Sequence, residues 1–139
     1  MADSCVAVTR DELSQILSGS PFARIYGLRL DSFAGGQCCL IMPFQESLER
    51  PGGIVSGSVL MTAADAAMWL AIMTRLGKNV MTVTSGMTSA FLSSAKQEDV
   101  RCTARVLKLG KKLVYGVAEC ESDRGALLSH HTLTYARLD

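Results

Sequence analysis

The stretch VLMTAADAAMWLAIM, residues Val59 to Met73, decides the fold. Its 15 residues hold one formal charge, Asp65, among almost continuous apolar side chains. A helix is predicted from about Gly57 to Arg75, with Gly77 as its C-terminal stop and Lys78 just beyond. Because nearly every face of that helix is apolar, it must be enclosed on most sides. Fifteen residues fall short of the roughly 20 that a bilayer crossing needs, so the enclosing medium is expected to be protein. A buried, unpaired carboxylate is costly, and Asp65 therefore needs a reason to be there.

Working outward, Thr9 and Glu12 form a capping-box pattern ahead of a short helix near Asp11 to Leu17, which Ser18-Gly19-Ser20-Pro21 ends. From Tyr26 to Met42 the chain reads as two strands joined at Gly35-Gly36. Gln45 to Ile54 is a polar loop in which Pro51-Gly52-Gly53 prevents regular structure. After the apolar helix come NVMTVTSGMTSAFL, DVRCTARVLKLG, KKLVYGVAECESD and GALLSHHTLTYARL. These four β-rich runs, separated at Ser93-Ser94, Gly110 and Arg124-Gly125, are expected to form an antiparallel meander. One buried helix with about six strands is an α+β layout in which a strongly curved antiparallel sheet wraps the helix, the element order of the hotdog fold. A single domain over 1–139 is expected, with 1–22 as an N-terminal helical extension.

Bulk properties exclude several functions. Fourteen basic against 13 acidic side chains leave a net charge of +1, too little for an electrostatic footprint on nucleic acid. The five cysteines (Cys5, Cys38, Cys39, Cys102, Cys120) have neither zinc-site nor C-x-x-C spacing and read as reduced, mostly buried thiols of a cytoplasmic protein. MADSCVAV places Asp3 where a signal peptide carries Lys or Arg, so neither secretion nor a membrane is indicated.

The sequence departs from the common enzyme motifs letter by letter. GIVSGS around Ser56 has Ile54 and Ser58 where a nucleophile elbow needs glycines. Gly52, Gly53 and Gly57 fit neither the dinucleotide fingerprint nor the phosphate loop, so no nucleotide cofactor follows, and with no zinc-like cysteine spacing no metal is expected. His130 and His131, the only histidines, are adjacent in a predicted strand and point to opposite faces. Met61, Met68, Met73, Met81 and Met87 read as flexible core filler.

Asp65 stands apart, since Met61, Thr62, Met68 and Trp69 offer it no basic partner on its own helix face. It is satisfied by a distant strand residue or by Thr62, or it is a carboxylate held for acid/base or nucleophilic work. At the start of the same helix, Gly57 and Ser58 present backbone N–H groups with the positive end of the dipole behind them, a possible oxyanion site behind an ordinary Ser56 N-cap. Asp65 lies nine residues beyond Ser56, roughly 13 Å along a helix. Catalytic contacts span about 3 Å, so if both ends act on one substrate two chains must contribute, in a symmetric dimer with two composite sites.

The stretches RPGGIVSGSVLMTAADAAMWLA, VTSGMTSAFLSSA and ARVLKLGKKL resemble, in order and spacing, the hotdog-fold acyl-CoA thioesterases of the phenylacetic-acid-degradation type. The family signature N-P-x-G-x-V-H-G-G, with a carboxylate nine residues after the His, is matched by Arg50-Pro51-Gly52-Gly53-Ile54-Val55-Ser56-Gly57-Ser58 with Asp65 in register. The resemblance implies that the Gly57 N–H polarises a thioester carbonyl, while Asp65 of a facing subunit activates water or attacks directly. It further implies substrate contacts at Arg50, Gly53, Val55, Ser58 and Thr84, with the pantetheine arm along the strand Val80 to Leu92. Lys111 and Lys112 would meet coenzyme A phosphates, or mark an exposed turn. Self-association as a homodimer, or as a dimer of dimers, is implied too. Ser56, Arg50 and Ser58 stand where the family has His, Asn and Gly, and Ala90 and Ser94 where it has Asn and Pro. A serine donates one hydrogen bond but does not shuttle a proton near neutral pH. The competing reading is a non-catalytic acyl-CoA or acyl-carrier binding module that has lost the family His.

Overall fold

In a computed structural model describing residues 6–138, the apolar stretch forms helix α3, Gly57–Leu76. Helices α1 (Arg10–Gly19) and α2 (Pro21–Tyr26) precede it in the chain. It ends at Gly77, whose φ of 95° suits glycine. At 20 residues it exceeds the 15-residue run and is long and apolar enough to cross a membrane, which corrects the length argument; 12 of its 20 residues are instead buried inside the protein. The burial comes from a six-stranded sheet built of β1 (Arg29–Ala34), β2 (Gln37–Met42), β5 (Thr82–Phe91), β6 (Val100–Leu109), β7 (Leu113–Ser122) and β8 (Leu127–Arg137). All neighbours are antiparallel, in the order β1-β2-β6-β7-β8-β5. Register shifts in β1–β2, β5–β8, β6–β7 and β7–β8 supply the bulges that let the sheet curve around α3.

The sheet and helix are those of the hotdog layout, but the meander covers only β6, β7 and β8. β5 pairs with β8 at the far edge, and residues 92–99 carry the chain back across the molecule to β6. Strands adjacent in sequence are not adjacent in space at that point. Two further corrections concern punctuation. Pro21 opens a second helix rather than only closing the first: α1 is Arg10–Gly19, with the Thr9–Glu12 capping box present, and α2 is Pro21–Tyr26. The hairpin therefore begins at Arg29, not at Tyr26. Likewise Pro51-Gly52-Gly53 is the turn of a small hairpin, β3 (Glu49–Arg50) paired with β4 (Ile54–Val55), preceded by a short 3₁₀ turn at Glu46–Leu48.

Leu40, Met68, Leu70, Ile72, Leu128 and Leu133 form the centre of a core between α3 and the sheet. Gly116 on β7 is required there, because a Cβ would collide with the Met68 side chain and the Arg105 carbonyl. Met81 is the exception among the methionines, being 61% exposed at the sheet edge. Cys38, Cys39, Cys102 and Cys120 are buried, and burial pushes the Cys38 thiol up to about 12; Cys5 lies outside the described residues. The two histidines face opposite ways as expected. His131 is buried between Ser89 Oγ on Nδ1 (2.7 Å) and Ser129 Oγ on Nε2 (2.8 Å), while His130 reaches Glu119 on the outer face.

Candidate active site

Cross-strand pairs put Thr84 beside Tyr135, Met87 beside Leu133, Ser89 beside His131 and Phe91 beside Ser129. Paired residues share a face of the sheet. From this strand Thr84 reaches Asp65 in the middle of α3, and Phe91 reaches Gly57 at its start. β5 thus runs antiparallel along the half of the helix that carries both candidate groups.

Asp65 is partly exposed and is satisfied by distant strand residues, not by Thr62, whose hydroxyl donates to the Ser58 carbonyl (3.1 Å). Thr84 Oγ1 donates to Asp65 Oδ1 at 2.7 Å, and the Tyr135 hydroxyl donates to the same oxygen at 2.5 Å. Ser85 is the extra residue of a bulge, since the register skips from Thr84–Tyr135 to Gly86–Thr134. Bulges re-aim neighbouring side chains, and this one lies next to Thr84. Both donors converge on Oδ1, and among the described residues Oδ2 accepts no hydrogen bond; Asp65 itself borders open space beside the helix. Tyr135, missed in the sequence, is deducible only as an inward-facing residue; its partner is 70 residues away.

Burial first, and then the charge of Asp65, push the Tyr135 phenol far above its ordinary value of 10.0. Below pH about 10 the folded and unfolded chains both keep this proton; above it the unfolded phenol ionises while the folded one does not. The folded state then binds more protons, so stability falls with rising pH, by up to about 1.4 kcal/mol per pH unit from this group. Urea denaturation across pH 10 should therefore show a shallower alkaline decline for Tyr135→Phe. At neutral pH the same variant should lose about 1.5–3 kcal/mol, the worth of a hydrogen bond to a charged group.

At the N-terminus of the helix, Ser56 occupies the N-cap position but its side chain caps nothing; its Oγ lies 3.0 Å from Ser58 Oγ. The expected side-chain cap is thus replaced by a hydroxyl pair. Among the described residues, neither the Gly57 nor the Ser58 amide has a backbone acceptor. A Cβ on Gly57 would stand 3.1 Å from the Phe91 ring, so the glycine leaves the amide approachable. Gly57 opens on a cavity of about 400 Å³ lined by Arg50, Val55, Phe91 and Ser94 among others. Asp65 opens on two recesses, which Thr84 and Ser58 respectively help to line. The Gly57 cavity and the Asp65 recesses share no lining residue. Gly53, in the β3–β4 turn with φ of 72°, lines none of these spaces, and Lys111 and Lys112 are exposed in the β6–β7 turn.

A curved antiparallel sheet wrapped around one long helix defines the hotdog fold. The family model of the Thioesterase superfamily matches residues 52–129. The chain belongs to that superfamily. It is 31% identical over 103 residues, 74% of this chain and 68% of the relative, to "Putative esterase SSO1253" of Saccharolobus solfataricus. Among solved structures, thioesterase superfamily member 2 of zebrafish is 27% identical with a TM-score of 0.85, covering 95% of this chain and 99% of that one. The PaaI protein of the E. coli phenylacetic acid degradation operon shares the fold at 18% identity, with a TM-score of 0.83 over 95% of this chain and 97% of its own.

Proposed function

We propose that this thioesterase-superfamily hydrolase cleaves acyl-CoA thioesters at a site assembled from two copies of the chain. The observation that carries the reading is the separation of Gly57 and Asp65 into spaces with no common wall. A second copy supplies what one chain lacks. β5 is a ten-residue edge strand without lysine or proline; it carries the exposed side chains of Val83 and Phe91 and is flanked by those of Met81 and Leu92. Such an edge is a template for pairing with another chain, and it borders both candidate groups.

In this reading the thioester carbonyl oxygen accepts the Gly57 N–H of one copy. Asp65 of the other copy takes a proton from water through Oδ2 as the water oxygen bonds to the carbonyl carbon. The C–S bond then breaks, the sulfur leaves as the coenzyme A thiolate and recovers the proton from Asp65, and the free acid is released. Thr84 and Tyr135 hold the carboxylate in place, and the reaction draws on no cofactor. Arg50 and the Lys111–Lys112 turn are cationic candidates for the coenzyme A phosphates. Release of free thiol from a panel of acyl-CoAs tests the reading. Hydrolysis supports it, whereas tight binding of acyl-CoA with no thiol released over hours would favour a binding module, in line with Ser56 in place of the family histidine.

A further inference from the structure

We propose that Phe22, on the helical segment ahead of the sheet, sets the length of the acyl group accepted at Asp65; this rests on the thioesterase reading above. Asp65 borders two recesses. One, of about 260 Å³, is walled by Trp69, Val83 and Tyr135 among others; the other, of about 360 Å³, is walled by Met61, Thr62 and Met87 among others. Apart from Asp65 itself, Phe22 is the one residue common to both linings, so its ring is the partition between them.

The partition is held in place from behind. Pro21 fixes the start of α2, Gly27 closes it in the left-handed conformation (φ 69°), and Ala23 is buried beneath it. Ser20 Oγ donates to the Ile16 carbonyl at 2.6 Å, tying α2 to α1. On the α3 side the Phe22 ring meets Trp69, with centroids 6.0 Å apart and planes inclined by 48°. Phe22 is nonetheless 39% exposed, as suits a wall residue rather than a core residue. Cavities that enclose a small organic ligand run from about 300 to 1,000 Å³, so one recess alone falls just below that range, the other lies at its small end, and the two joined reach its middle. With Phe22 in place, an acyl group reaching Asp65 has one recess and stops at the ring. Both recesses present more apolar than polar surface and offer no cationic group, so the substrates are short or medium apolar acyl thioesters.

The test compares wild type, Phe22→Ala and Phe22→Trp on straight-chain acyl-CoAs from acetyl to palmitoyl. The first readout is kcat/KM for thiol release; the second is affinity for the matching non-hydrolysable thioethers of coenzyme A. Phe22→Ala should raise the ratio of long-chain to short-chain kcat/KM by about 10-fold or more, the scale on which an apolar pocket discriminates, and Phe22→Trp should lower it. A general loosening of α2 would instead lower all chain lengths alike. An unchanged ratio in a variant with wild-type melting behaviour overturns the role of Phe22 and leaves the thioesterase reading intact. Absence of thiol release from every substrate overturns the thioesterase reading. In that case a shift in thioether preference still supports the partition, and no shift, or no binding, overturns it.

Discussion

Asp65→Asn should lower kcat for acyl-CoA hydrolysis by about 10²- to 10⁴-fold, the usual contribution of a positioned general base. The amide is nearly isosteric and can still accept from Thr84 and Tyr135 through its oxygen, so the fold and the α3 packing should survive. What is lost is the second carboxylate oxygen as a proton acceptor, because an amide NH₂ only donates. KM should change little, since Asp65 in this role acts on the water and not on the coenzyme A moiety. Thiol-release kinetics at saturating substrate check it. Equal rates for the two proteins would remove Asp65 from the chemistry.

Gly57→Pro should lower kcat by about 10²- to 10³-fold through loss of one oxyanion donor. A backbone donor can rarely be deleted cleanly, but this position allows it. Gly57 is the first residue of α3, where the N–H has no intrahelical acceptor and proline is well tolerated. Ser56 already has φ −64° and ψ 142°, the extended conformation that a residue preceding proline adopts. Gly57→Ala is the control. It keeps the N–H while placing a Cβ 3.1 Å from the Phe91 ring, and it should cost far less activity. Equal losses in the two variants would mean that bulk, not the donor, matters. Coexpressing Gly57→Pro and Asp65→Asn chains then tests where the site lies. In mixed dimers one of the two composite sites is intact, so random pairing should restore about a quarter of wild-type activity. Activity staying at the level of the single variants would place both groups in one chain's site.

How far the sequence revealed these features depended on whether their cause was local. The unbroken apolar run of α3 and the lone charge within it are local, and so is the capping box at Thr9, and both were legible. The nine-residue spacing of Ser56 and Asp65 carries into the separation of the Gly57 cavity from the Asp65 recesses because a helix converts sequence distance into length. Pro21 and Pro51-Gly52-Gly53 were misread because the same residues that stop one element also start another: proline suits the first turn of α2, and the two glycines suit the turn between β3 and β4. The remainder depended on long-range pairing. Nothing in TVTSGMTSAF says that it lies against β8 rather than β6, and without that pairing Thr84 and Tyr135 cannot be brought to Asp65. Phe22 was passed over for the same reason, since its contacts with α3 arise from an elbow between two helices.

The length of α3 gives its central carboxylate a consequence during synthesis. A 20-residue segment, 18 residues of which have a mean hydropathy of 1.4, leaves the ribosome before any of β5 to β8, the strands that will cover much of it. For that interval it has the dimensions of a bilayer-spanning segment. An aspartate near the middle of such a segment opposes insertion by about 2.5–3.5 kcal/mol, comparable with the gain from several leucines. The charge proposed here to activate water would thus also keep the nascent helix available for its own sheet, and a variant such as Asp65→Leu would lose both at once.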